Sequence, residues 1–220
     1  MQQMDFEQAR FNMIEQQVRP WDVLDQQVLD VMTDMPREAF VDEKYRRLAF
    51  ADINIPLGHE QVMMAPRLEG RLLQALAISK TDSVLEIGTG SGYLTACLAR
   101  LGKHVTSVEI FPEFSQAAAT RLSEQGCHNV TLTEADAANG IDAGSRYDVI
   151  AVTGSLPAMS TAFHNSLNIG GRLFLIVGEP PVMEAMLVTR IDDSNWTSES
   201  LFETSLPPLV NSVEPERFAL

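Results

Sequence analysis

The run Val84-Leu85-Glu86-Ile87-Gly88-Thr89-Gly90-Ser91-Gly92-Tyr93 sets four residues of strand type directly before three glycines at alternate positions. Leu94, Cys97, Leu98 and Leu101 follow at the i, i+3, i+4, i+7 spacing of one helix face. A strand, a tight turn and a helix are therefore expected in that order. Glycine admits positive φ and lets a ligand lie against bare main chain, while a helix N-terminus presents unpaired N–H groups and a positive dipole end. A nucleotide-like cofactor is the expected occupant.

The spacing narrows the choice. A dinucleotide turn takes G-x-G-x-x-G or A, and counted from Gly88 its last position falls on Tyr93, too large for the close helix-to-strand approach served by a small residue. A phosphate-binding P-loop needs a Gly-Lys-Ser/Thr that does not follow. The acidic-x-G-x-G-x-G form from Glu86 to Gly92 resembles instead the first motif of the class I S-adenosylmethionine (SAM) methyltransferases.

Outward from the turn, strand and helix patterns alternate. Strands are expected at Val84 to Ile87, Val105 to Glu109, Val130 to Glu134, Tyr147 to Val152 and Arg172 to Val177, with helices to Leu101, from Pro112 to Gln125 and from about Ala158 to Leu167. Glu184 to Ile191 and Ser198 to Phe202 read as a closing strand pair. This alternation predicts an α/β fold, a doubly wound, Rossmann-like and mostly parallel sheet with helices on both faces. Before it, Asp5 caps a first helix bearing Phe6, Ala9, Met13 and Ile14, and Asp22 a second bearing Leu24, Val28, Val31 and Met35. Pro36 to Val41 reads as one short turn, Tyr45 to Gly58 as an irregular connection, and Pro66 opens a helix with Leu68, Leu72, Leu73 and Leu76 buried. Residues 1–80 thus form an N-terminal helical segment carrying an acceptor-site loop, and 81–220 the cofactor-binding core, one compact domain in all.

Composition removes several classes. The 220 residues carry 16 Lys and Arg against 30 Asp and Glu, a net charge of −14. A nucleic-acid binder needs a basic surface to neutralise phosphates, so no nucleic-acid partner is expected. No apolar run approaches the ~18 residues that span a bilayer, and the first residues have neither a basic region nor an apolar block, so no membrane association and a cytoplasmic location are expected. Cys97 and Cys127 are expected to be reduced thiols, and the scattered His59, His104, His128 and His164 suggest no metal site.

In a doubly wound sheet the ligand lies beyond the carboxyl ends of the strands, where their order reverses. Glu109 ends the second strand, about the offset from the turn at which an acid reaches ribose hydroxyls, and Asp136 just past the third can accept from an adenine amine. No nucleophile elbow is present. A carboxylate acceptor would already be ionised at neutral pH, leaving positioning as the main catalytic demand.

Met35-Pro36-Arg37-Glu38-Ala39-Phe40-Val41, Phe50-Ala51-Asp52, Ile55-Pro56-Leu57-Gly58, Ala65-Pro66 and the Glu86 to Tyr93 turn are similar in order and spacing to the protein-L-isoaspartate O-methyltransferases. The likeness continues through Asn129-Val130, Tyr147-Asp148-Val149-Ile150, Gly170-Gly171-Arg172-Leu173 and Pro208-Leu209, nearly the whole chain. The family methylates the free carboxylate of isoaspartyl residues in damaged proteins, using SAM, and most members are cytoplasmic monomers. The resemblance implies cofactor contacts at Glu86, Gly88, Thr89, Gly90, Gly92, Glu109, Ile110, Asp136, Ala137, Ala65 and Pro66. It places Val62, Met64 and Arg67 at the acceptor, a protein or peptide carboxylate. Where the family carries Gln-Thr-Ile-Ser, this chain reads Gln61-Val62-Met63-Met64. The family's Gly-Asp-Gly is here Ala135-Asp136-Ala137, and its Pro-Leu-Thr is Pro208-Leu209-Val210. Burying a carboxylate against such apolar groups without donors costs several kcal/mol in principle. Three readings stay open: an isoaspartyl methyltransferase, a paralogue for a more apolar acceptor such as a small molecule, and a SAM-binding protein without transfer activity.

Overall fold

The computed structural model describes residues 5–141 and 144–213. Asp5 accepts from the Gln8 N–H at 3.1 Å and caps helix α1 (Phe6–Met13), which runs on through a wider turn at Ile14–Val18 and a tight one at Arg19–Trp21. Helix α2 (Gln26–Asp34) starts from Asp25, whose carboxylate accepts from Gln27 N–H at 2.8 Å. The expected Asp22 cap is thereby corrected: Asp22 is left-handed at φ 59 and closes the preceding turn onto Arg19 O. Leu24 falls outside the helix and is 68% exposed, whereas Val28 and Met35 are buried.

The connection expected to be irregular contains a short-turned stretch at Glu43–Leu48 and an antiparallel hairpin, β1 (Ile55–Gly58) and β2 (Gln61–Met63). Its two-residue turn is His59-Glu60, with both φ positive (49 and 60), the mirror-image geometry that matches strand twist. Neither residue is the glycine or asparagine that normally advertises such a turn. Helix α3 (Pro66–Leu76) then buries Leu68, Leu72, Leu73 and Leu76.

The rest is the expected alternation: β3 (Ser83–Ile87), α4 (Tyr93–Leu101), β4 (His104–Glu109), α5 (Pro112–Glu124), β5 (Val130–Glu134), β6 (Tyr147–Leu156), β7 (Leu167–Glu179), β8 (Val182–Arg190) and β9 (Trp196–Thr204). The seven strands lie in the order β5-β4-β3-β6-β7-β8-β9, parallel as far as β7 and antiparallel through β8 and β9. The helix expected over 158–167 does not form. Strand β6 runs on to Leu156 and β7 begins at Leu167, and the link between them turns on Ser160 Oγ, which accepts from Ala162 N–H, and on one tight turn at His164–Ser166. Short hydroxyl side chains that bond their own backbone compete there with helix bonding.

Buried side chains alternate across the strands. Val84, Val149, Ala151, Phe174 and Ile176 face a core shared with α1 to α4, while Leu85, Ile87, Ile150, Val152, Leu173 and Leu175 face the other layer. A central strand buried on both faces reads as a continuous apolar run, as Val149 to Val152 does. The order reverses between β3 and β6, and beyond their carboxyl ends the sheet opens a crevice. Among the described residues no helix is long and apolar enough to cross a membrane.

Candidate cofactor and acceptor site

A cavity occupies that crevice, the place where open α/β sheets hold small molecules. Its floor is the turn after β3. Gly88 and Gly90 carry φ 96 and 51, and a Cβ on Gly88 would stand 2.3 Å from Thr153 Oγ1, so only bare backbone fits. Thr153, within β6, lies 2.8 Å from Ile87 O and 2.7 Å from Gly88 O, and its hydroxyl ties the turn down.

Glu109 lines the second side and is buried. Its Oε2 accepts from Gly90 N–H at 2.8 Å, and its Oε1 from the Ile110 and Phe111 N–H groups at 2.9 and 3.0 Å. Three main-chain donors thus aim the carboxylate at the turn. Asp136 lines the third side, accepting from Ala138 N–H at 3.1 Å and from Asn211 Nδ2 at 2.8 Å. Ile110 and Ala137 also line the cavity.

Glu86 sits beneath the turn, fully buried. Oε2 accepts from Thr95 Oγ1 at 2.5 Å and Ser107 Oγ at 2.6 Å, and Ser107 continues to Thr89 Oγ1 at 2.6 Å. Glu86 Oε1 has no hydrogen-bond partner among the described residues. Burial pushes the carboxyl up to about 8, more strongly than the two hydroxyl donors hold it down. Glu69 of α3 also reaches the cavity wall. Arg37, buried beside it, pairs with Glu69 and donates to Met64 O at 2.6 Å and Ala49 O at 2.7 Å, with its guanidinium 4.8 Å above the Tyr93 ring. Burial raises the Glu69 carboxyl to about 7 against the pull of Arg37.

One end of the cavity is apolar. Val62, Met63 and Met64 line it from β2 and the chain after it, Leu209 and Val210 from the C-terminal segment, and Leu57 from β1. Among the described residues that line the cavity four are acids (Glu69, Glu86, Glu109, Asp136), and none is Lys, Arg or His. The wall therefore favours cationic and neutral groups.

Not every residue implied by the resemblance reaches the cavity. Arg67 does not line it: its guanidinium pairs with Asp52 and lies 4.4 Å above the Trp21 ring. The helical phase of α3, set by its buried leucine stripe, turns position 67 outward. Ala65 and Pro66 do not line it either, since Ala65 donates to Asn54 Oδ1 at 3.0 Å and Pro66 opens α3. Gly92 caps α4 at φ 85, where a Cβ would lie 3.0 Å from Ala118 Cβ, so its smallness serves packing of α4 on α5. Sequence reasoning missed Thr153, Glu69, Phe111 and Phe114. The position of Thr153 just past the expected end of the fourth parallel strand was a usable signal; Glu69 on a helix carried none.

The family model described as Protein-L-isoaspartate(D-aspartate) O-methyltransferase (PCMT) matches residues 8–214. A protein-L-isoaspartate O-methyltransferase of Rhodopseudomonas palustris is 36% identical over 201 residues, 91% of this chain and 92% of that one. Protein-L-isoaspartate O-methyltransferase 2 of Pelobacter propionicus is 37% identical over 207 residues, 94% and 92% of the two chains. A solved Plasmodium falciparum structure described as a protein-L-isoaspartate O-methyltransferase, in complex with S-adenosyl-L-homocysteine, shares the fold with a TM-score of 0.79 at 16% identity, covering 94% of this chain and 99% of that one.

Proposed function

The chain belongs to the protein-L-isoaspartate(D-aspartate) O-methyltransferase family, and from that premise we propose that it moves a methyl group from SAM to the free carboxylate of an isoaspartyl residue in a protein acceptor. As a member of that family it is a SAM-dependent methyltransferase. The observation that carries the reading is the Gly88–Gly90 cradle with Glu109 fastened to it. Bare backbone, two further acids and one unpartnered buried carboxylate oxygen suit a ligand with a sugar, a purine and a cationic arm. Bound there, the cofactor supplies an electrophilic methyl carried on a sulfonium.

In this reading Glu109 takes the ribose hydroxyls, Asp136 the adenine amine, and Glu86 Oε1 faces positive charge. The acceptor carboxylate needs no base, and the rate rests on holding it in line and excluding water. Val62, Met64 and Val210 form that wall. The cytoplasm is the proposed compartment, supported by Cys97 and Cys127, which stand as separate free thiols.

A second reading, a neutral and more apolar acceptor, is favoured by the same wall, since its described residues offer an anion no cationic side chain. Calorimetric titration with SAM tests the shared premise, and absence of binding removes both readings. Methyl transfer from labelled SAM to an isoaspartyl peptide, against its aspartyl counterpart, separates them: no turnover on the isoaspartyl peptide by a SAM-binding protein refutes the first.

A further inference from the structure

The β1–β2 hairpin roofs the cavity. Leu57 on its first strand lies directly over the glycine turn, where a Cβ on Gly90 would stand 3.1 Å from Leu57 Cδ1, and Gln61 and Val62 on its second strand complete that wall. The opposite wall is the segment after β4, where Phe111 and Phe114 line the cavity just beyond Glu109. What joins the two walls is the hairpin tip.

The His59 ring stacks on Phe111 with centroids 4.1 Å apart and planes 12° from parallel, and meets Phe114 edge-on at 5.6 Å. Its Nε2 lies 2.5 Å from Glu113 Oε1. Phe111 and Phe114 in turn contact each other at 5.3 Å. One side chain of the turn thus grips three residues of the α5 end, two of which face the cavity. The turn itself holds two non-glycine residues in the left-handed region, a conformation that has to be held by outside contacts. The clasp is on the solvent side, with the His59 and Glu113 side chains 45% and 57% exposed, so it can part without unpacking the core.

We propose that His59 is a positioning residue that clasps the hairpin to α5 as a lid, and that cofactor exchange requires this clasp to open. The inference rests on the reading that the cavity holds SAM. On this proposal a ligand lying between Leu57 and Phe111 exchanges when the two walls part at the tip, so the clasp sets a rate, while the contacts below it set affinity.

The test measures association and dissociation rates of S-adenosyl-L-homocysteine with the full chain by surface plasmon resonance. His59→Ala is expected to speed both by about three- to tenfold, the factor that a stacked ring pair contributes, with Kd moving by less than about twofold. His59→Phe, which keeps a ring on Phe111, is expected to return both rates most of the way to wild type. Glu113→Gln reports on the same clasp from α5, with a smaller rise in both rates, and stands in if His59→Ala fails to fold. An unchanged association rate, with any affinity loss carried by dissociation alone, makes His59 an ordinary contact and overturns the proposal. A wild-type chain that binds no S-adenosyl-L-homocysteine overturns the cofactor reading itself, an outcome visible before any variant is made.

Discussion

Glu86→Gln is expected to stabilise the protein, and by more at higher pH. The Glu86 carboxyl is fully buried, accepts two hydroxyl donors on one oxygen and has no partner on the other among the described residues. Burial holds it at about 8 in the folded protein against an ordinary 4.5. Below 4.5 both folded and unfolded states carry the proton, and the group contributes nothing to the pH dependence. Between 4.5 and about 8 the unfolded chain has lost the proton and the folded protein still holds it, so stability falls as pH rises. At about 1.4 kcal/mol per pH unit the loss across that interval is about 5 kcal/mol, complete above pH 8. The glutamine side chain is neutral throughout; its oxygen takes the Thr95 and Ser107 donors, and its amide puts two N–H donors where Oε1 has no partner among the described residues, one more than the protonated carboxyl does, at about 1 kcal/mol. Urea unfolding at pH 5, 6, 7 and 8 reads the difference. The variant should match or fall slightly below wild type at pH 5 and exceed it by a few kcal/mol at pH 8. Parallel stabilities over the whole range refute the reasoning. The same linkage acts on binding. In the proposed site a cationic ligand favours the ionised form of Glu86, so SAM binding near pH 7 is expected to release a proton, and wild-type affinity to rise with pH up to about 8, read by calorimetry in buffers of different ionisation enthalpy.

Gly88→Ala adds a Cβ 2.3 Å from Thr153 Oγ1 at φ 96, and is expected to cost about 3 kcal/mol and abolish SAM binding, read by thermal denaturation and calorimetry. Val62→Thr with Met64→Ser puts hydroxyls on the acceptor wall and is expected to raise turnover of an isoaspartyl peptide about tenfold, the scale of one hydrogen bond to a charged group; unchanged turnover places those side chains away from the acceptor. Arg67→Ala removes a pair with side chains 34% and 30% exposed, and is expected to lower stability by about 1 kcal/mol while leaving SAM affinity within about twofold.

The sheet was legible because its strands announce themselves twice, as apolar runs and by their spacing from the helices between them. The glycine turn was legible because three glycines at alternate positions have few other uses, and Glu109 because its strand puts it beside that turn. Legibility failed where one local signal was missing or stood for two structures. The hairpin hides behind His59-Glu60, neither of them the glycine or asparagine that usually marks such a turn, held there by Phe111 and Glu113 some fifty positions later in the chain. The helix expected over 158–167 had apolar residues at suitable places, yet it had to fit between two parallel strands that both proved longer than their patterns showed. Arg67 was assigned to the acceptor by its position in a motif, and helix phase sent it to Asp52 and Trp21 instead. Glu69, two positions on, points inward because Arg37 waits for it there. A buried guanidinium that also holds the Met64 carbonyl ties the apolar wall of the cavity to the first turn of α3. That tie joins residues 32 positions apart, and no period within either segment records it. The site is thus half local and half long-range: its glycine floor follows from consecutive residues, while its apolar wall is set by pairs that meet only when the N-terminal helices pack on the sheet.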